Sequence, residues 1–314
     1  MTRRAVVIQG LRRSGTTALW ASFRGQEGVA AFDEPFNPEL AQGIRSNFKQ
    51  TWDELGVCLD REGLTPVAIG PEEELAGCAS PQERAYLGQL MEAAPRVAID
   101  LVRVWNRGPG LFEEPERVLS VLLVRDPISW VTGHLMPSGR GTWRKSLANP
   151  YRRASFFSRR GFFNNYFYET ITDAALQQRH PLWSAAQVPI EALTHAPAYM
   201  KLLAFWWGAN LTAYRALRDA GAPAMVVTLG EFCAKPQQVV RGVLEQAGWT
   251  DLDLATGHVV QTRSGHRPTD DRWLRAADAL GIPAVFFEPG GATAEALEAA
   301  FDVASPAVLW EAVG

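Results

Sequence analysis

The chain has 314 residues, 47% hydrophobic and 21% charged, with a formal net charge of −3. That length can bury a sizeable core, that composition excludes a disordered chain, and that charge offers no overall attraction to nucleic acid or an anionic membrane. The three cysteines, Cys58, Cys78 and Cys233, show neither metal-ligand spacing nor a disulfide framework. They suit a reducing cytoplasm. Too few apolar residues precede the first polar loop for a signal peptide, and no apolar run approaches the roughly 18 to 20 residues of a membrane span.

In chain order, Ala5-Val6-Val7-Ile8 is a short β-branched run that predicts a buried strand. Gly10 to Gly15 form a tight polar loop, and Thr16-Thr17-Ala18-Leu19-Trp20 opens a helix. Such a turn between strand and helix is an anion cradle. Val29 to Phe32 predicts a second strand, ending in Asp33-Glu34-Pro35, where the proline stops both strand and helix. Residues 40 to 80 carry no clear periodicity. Ser80-Pro81-Gln82-Glu83 is a capping box before Tyr86, Leu87, Leu90 and Met91 at helical spacing. Val97 to Val104 predicts a strand, with Asp100 and Arg103 inside it. Val118 to Val124 is the most apolar strand and fits a central parallel position.

Asp126 can cap a helix beginning at Pro127, with Ile128, Val131 and Leu135 facing inward. Between Pro137 and Arg160 lie seven basic residues and no acid, followed by aromatics from Phe162 to Tyr168. The basic run reads as a lid over an anionic ligand or as solvated surface. The aromatics, with Trp206-Trp207, read as an acceptor pocket or as core. A helix over 198–220, a strand over 224–229 and a helix over 236–247 follow. Strands separated by helices predict one α/β domain over 1–314, a three-layer P-loop-type fold with a central, mainly parallel sheet. Its stretch at 137–195 is the least readable.

The nucleoside-triphosphatase loop is GxxxxGK[ST], whose lysine reaches the β- and γ-phosphates. Here Gly10 and Gly15 keep the spacing, but Thr16 stands where the lysine should be, and Arg13 precedes the second glycine. This argues against triphosphate hydrolysis. It favours a ligand with one 5′-phosphate, met by loop amides, Thr16 and Thr17, with Arg13 over a transferred group.

GLRRSGTT resembles the 5′-phosphosulfate loop of sulfotransferases that use 3′-phosphoadenosine 5′-phosphosulfate (PAPS). VLLVRDPISWVTGHL is similar to that family's 3′-phosphate signature, VVTLGEFCAKPQQVVRGVLEQAGW to its later strand, acidic turn and helix, and FDEPFNP to the FEP-type sequence of carbohydrate-type and bacterial members. The four segments stand in family order. The resemblance implies that Arg12, Arg13, Ser14, Gly15, Thr16 and Thr17 bind the 5′ end and that Arg125 binds the 3′-phosphate. It also implies that Arg13 stabilises charge on the bridging oxygen. Where the family usually has a serine eight residues after the arginine, this chain has Gly133, so Ser129 or Thr132 would supply the hydroxyl. Arg263 and Gly265 are similar to a late Arg-x-Gly loop over the same phosphate.

For the base, Glu34 leads, with capping of the turn before Pro35 as the alternative. Asp100 is second, as a buried acid or as a partner of Arg103. The family's histidine from this strand is missing; His134 and His266 are the alternatives, and a helical histidine is often structural. The expected ligands are PAPS, its product 3′,5′-ADP, no metal, and a small-molecule or carbohydrate acceptor. Against this stand a P-loop phosphotransferase and a non-catalytic nucleotide-binding module.

Overall fold

The computed structural model describes residues 2–41, 66–70, 73–135, 171–259 and 271–304. The basic run, the aromatics at 162–168, Arg263, Gly265, His266 and Cys58 lie outside the described residues. Five strands, β1 (Ala5–Gln9), β2 (Val29–Asp33), β3 (Arg96–Leu101), β4 (Val118–Val124) and β5 (Ala224–Thr228), form one sheet in the order β2-β3-β1-β4-β5. Every pairing is parallel. β1 and β4 are buried along their whole length, which is why both read as continuous apolar runs.

Alternation along the strands builds the three layers. Val6, Ile8, Leu119, Val121 and Leu123 meet Leu19 and Trp20 of helix α1 (Thr16–Trp20) on one face. Val7, Val97, Ile99 and Val118 meet Tyr86, Leu87 and Leu90 of α2 (Pro81–Met91) on the other, where Ser80 and Glu83 form the expected capping box. Leu122 and Val124 join the cluster that contains Ile128 and Val131 of α3 (Pro127–Leu135) and the buried face of α4 (Ala198–Asp219). Each fully buried Leu or Phe side chain there contributes about 1.5–3 kcal/mol. Trp206 and Trp207 belong to this core, packed on Phe286 and, for Trp207, Phe301. Of the two readings given to that pair, core is the one observed. The described part of the least readable stretch is helical: Asp173–Gln177, Pro181–Ala185 and Ile190–Thr194 are short helices, and the second packs on α4.

Helix α5 (Leu229–Ala234) follows β5 and opens with a second capping box, Thr228 and Glu231. Helix α6 (Pro236–Ala247) stops at Gly248, whose φ of 72° makes the left-handed cap. The strand expected to run to Val104 stops at Leu101. Its neighbours β1 and β2 end at Gln9 and Asp33, in register with Leu101 and Asp100, so no partner remains beyond that point. Because all strands are parallel, their carboxyl ends share one edge. β3 and β4 lie on opposite sides of β1, so the crossovers diverge there and open a crevice at the end of β1.

Candidate active site at the carboxyl end of β1

The glycine-bounded loop occupies that crevice. A side chain at Gly10 would put a Cβ 2.5 Å from the Leu123 carbonyl oxygen, so only glycine lets the chain leave β1 this close to β4. Gly15 has φ 96°, and a Cβ there would strike Leu229 of α5 at 2.6 Å. Arg13 is exposed and has φ 65° without being glycine. Ser14 is buried, and its Oγ has no hydrogen-bond partner among the described residues.

Helix α3 holds the loop from behind. The Arg12 carbonyl accepts from Trp130 Nε1 at 2.9 Å and lies 3.3 Å from His134 Nε2. His134 is 1% exposed, with its ring 4.2 Å from that of Trp130. Since a carbonyl only accepts, Nε2 carries the proton in this contact. His134 therefore sits as a clamp on the loop, its structural alternative. The Arg13 carbonyl accepts from Arg125 Nη1 at 3.1 Å, and Trp206 Nε1 fixes the Arg125 carbonyl at 2.9 Å. Two arginines from adjacent strand ends thus meet at the loop.

Arg125 Nε is buried and has no hydrogen-bond partner among the described residues. Burial lowers the pKa of this guanidinium, Asp126 opposes that, and Arg13 adds to it. A Cβ on Gly133 would stand 4.0 Å from Arg125 Nη1, so the position of the missing serine does lie beside the arginine. Of the two substitutes considered, the Thr132 hydroxyl donates to the Ile128 carbonyl at 2.7 Å. Ser129 sits in the first turn of α3, where its backbone N–H donates to Asp126 Oδ1 at 2.8 Å. His258 lies beside α1, with its Nε2 2.9 Å from the Ala18 carbonyl.

The acids fall into two groups. Asp33 and Asp100 are neighbours across β2 and β3, on the face that carries α1, and Thr17 Oγ1 donates to Asp100 Oδ2 at 3.2 Å. Burial first, then the charges of Asp33 and Glu34, push Asp100 well above the usual carboxylate range, with hydrogen bonds from Thr16 and Thr17 opposing. Burial and the charge of Glu34 raise Asp33 to about 6. Asp100 is completely buried, and Arg103 does not pair with it. β3 ends at Leu101, and Arg103 turns away to a second cluster.

That cluster contains Glu34. Arg103 Nη1 donates to Glu74 Oε1 at 3.0 Å, and Nη2 reaches Glu34 Oε2 at 3.4 Å. Asn37 Nδ2 donates to the same Glu34 oxygen at 2.9 Å. Glu74 also takes Arg12 of the loop as an ion pair. The Glu34 side chain is 22% exposed, whereas Glu74 is wholly buried. Within this cluster Glu34 is thus the acid with access to solvent. Its φ of 42° makes it, like Arg13, a non-glycine residue in the left-handed region. Sequence reasoning missed Glu74, which lies in a segment without periodicity, and the pairing of Asp100 with Arg103, one of the two readings given to Asp100, is not observed. Among the described residues no group of three or more His, Cys, Asp or Glu side chains is arranged to hold a metal ion. No described helix is long and apolar enough to cross a membrane.

No family model matches the chain, and no curated protein matches it. Among solved structures, it is similar to a sulfotransferase domain from the curacin biosynthetic pathway, at 13% identity and TM-score 0.43, over 88% of this chain and 97% of that one. A sulfotransferase from Alicyclobacillus acidocaldarius is similar at 14% identity and TM-score 0.40, over 90% of this chain and 97% of its own. Similarity this loose assigns neither substrate nor residue roles.

Proposed function

We propose that this chain, as one α/β domain, is a sulfotransferase that moves the sulfuryl group of PAPS to a hydroxyl or amine of a small-molecule or carbohydrate acceptor. One observation carries the reading: a lysine-free phosphate loop bearing Arg13 is joined through its own carbonyl to Arg125 from the next strand end. This gives two guanidiniums for a nucleotide phosphorylated at both 3′ and 5′ positions. The residues present fit such a ligand, because Ser14 Oγ and Arg125 Nε are buried polar atoms without partners among the described residues.

In this reading the loop amides, Ser14, Thr16 and Thr17 hold the 5′-phosphate, and Arg125 with Ser129 holds the 3′-phosphate. PAPS supplies an activated S–O bond: it breaks at the 5′-phosphate oxygen as a new bond forms from sulfur to the acceptor oxygen or nitrogen. Arg13 stabilises the charge developing on the leaving oxygen. Glu34 takes the acceptor's proton. The FDEPFNP stretch favours a polyhydroxylated acceptor, and the three scattered cysteines, without metal-ligand spacing, fit a cytoplasmic setting.

Thermal shift tests the ligand, since a specific ligand stabilises by mass action. We expect 3′,5′-ADP to raise Tm and ATP with magnesium to leave it unchanged. Stabilisation by ATP–magnesium alone refutes the proposal and favours phosphoryl transfer. Arg13→Ala is expected to abolish release of 3′,5′-ADP from PAPS across an acceptor panel.

A further inference from the structure

Glu34 does not stand alone at the sheet edge. Its Oε2 is held from two directions, by Arg103 Nη2 at 3.4 Å and by Asn37 Nδ2 at 2.9 Å. Its Oε1 makes no hydrogen bond among the described residues. Arg103 spreads its fork over two carboxylates, Glu34 and Glu74, and is itself 6% exposed. Glu74, fully buried, joins Arg103 to Arg12, the residue next to Arg13 in the loop. A continuous chain of charge therefore runs from the loop through Glu74 and Arg103 to Glu34.

Two further facts make the connection informative. The Glu34 backbone is held at φ 42°, a conformation that persists only where the surroundings over-determine it. Asp33 and Asp100 lie next to it at the ends of β2 and β3, and Arg103 is the buried cation that reaches both Glu34 and Glu74, the partner it shares with the loop.

We propose that Arg103 is a positioning residue for Glu34, fixing the carboxylate relative to the phosphate loop through their shared partner Glu74; this rests on Glu34 being the base. Lysine can neutralise one carboxylate but cannot fork over two. Arg103→Lys should therefore lower kcat for release of 3′,5′-ADP from PAPS with an acceptor panel by about 10²-fold, the effect of a misplacement near 1 Å. The Kd for 3′,5′-ADP should stay within about twofold, because the substitution leaves the loop's own groups intact.

The decisive comparison is made in a Glu34→Gln background. If Arg103 acts through Glu34, Arg103→Lys adds less than about threefold there, since groups acting as a unit are not additive. A Glu34→Gln enzyme with normal kcat sinks the base assignment itself. A slow Glu34→Gln enzyme on which Arg103→Lys still imposes its full loss leaves the base assignment standing and overturns the positioning role. Should Arg103→Lys not fold, Asn37→Ala removes the other donor to Oε2 and is expected to lower kcat about tenfold, again only when Glu34 is present. A crystal structure of Arg103→Lys with 3′,5′-ADP decides without turnover: the Glu34 carboxylate is expected to move by about 1 Å or more, and an unmoved carboxylate overturns the proposal.

Discussion

Replacing Arg125 with methionine removes a charged fork while keeping the length of its stem. In the structure this guanidinium does two separable things. Nη1 holds the Arg13 carbonyl at 3.1 Å, and Nε is a buried donor without a partner among the described residues. The first is one hydrogen bond from a charged donor, and losing it loosens the loop for any 5′-phosphate at a cost of about 1.5 kcal/mol, roughly tenfold in affinity. On the proposed function the second donor, with the charge behind it, serves only a ligand that carries a 3′-phosphate. A charge-assisted phosphate contact in a part-buried site adds about 3 kcal/mol, roughly a further 10²-fold. Calorimetric titration of wild type and Arg125→Met with 3′,5′-ADP and with 5′-AMP separates the two. The expected outcome is a loss near 10³-fold for 3′,5′-ADP against about tenfold for 5′-AMP, the product and the first factor of those estimates. Equal losses for both nucleotides would refute the assignment of Arg125 to the 3′-phosphate and reduce it to a loop clamp.

Three further outcomes follow from the same geometry. Gly15→Ala forces a left-handed alanine, at about 1–2 kcal/mol, and drives its Cβ into Leu229 at 2.6 Å; denaturant midpoints should fall, and trimming Leu229 to alanine should restore only the steric part. Trp130→Phe keeps the ring but deletes the 2.9 Å bond to the Arg12 carbonyl, so stability should drop by about 1 kcal/mol and 3′,5′-ADP should bind several-fold more weakly, read by urea unfolding and titration. Asp33 is raised from 3.8 to about 6 by burial and the charge of Glu34, so the folded state binds this proton more tightly than the unfolded one. That contribution is fully present below about pH 4 and is lost as pH rises through about 6. Asp33→Asn should therefore gain stability relative to wild type across that window, and parallel pH–stability curves for the two proteins would contradict the assignment.

Much of the fold was written locally. β1 and β4 announce themselves as short apolar runs because the parallel sheet buries both of their faces. The capping box at Ser80 and the proline start at Pro236 are likewise signals confined to a few residues. The loop is legible for the same reason, since its glycines answer steric demands of the strand–loop–helix turn itself. What escaped depends on distant parts of the chain. Asp100 and Arg103 share one apparent strand in the sequence, which invites pairing them. The strand stops when its ladder partners stop, and that is a property of β1 and β2 rather than of β3. Trp130 and Trp206 look like core residues and are, yet each also spends its indole N–H on a backbone carbonyl of the site, Arg12 or Arg125. Nothing in the residue type distinguishes a tryptophan that only fills space from one that also holds a loop.

The cluster of Arg12, Glu74, Arg103 and Glu34 is the feature stability alone explains least. Burying Glu74 completely carries a desolvation cost, visible in the raised pKa that two arginines only oppose. A buried ion network of this kind is often no better for stability than apolar residues of the same volume. A chain selected only to close its sheet edge could have met Leu75 and Ile69 with further aliphatic groups. Charge at this place does what aliphatic packing cannot: it makes the positions of two distant segments, the loop after β1 and the turn after β2, depend on one shared partner with directional bonds. The segments joined are those that hold Arg13 and Glu34, two of the four described non-glycine residues with positive φ. Strained backbone and buried charge both carry a cost, and both occur where, on the proposed mechanism, the leaving oxygen and the attacking group must be held in line.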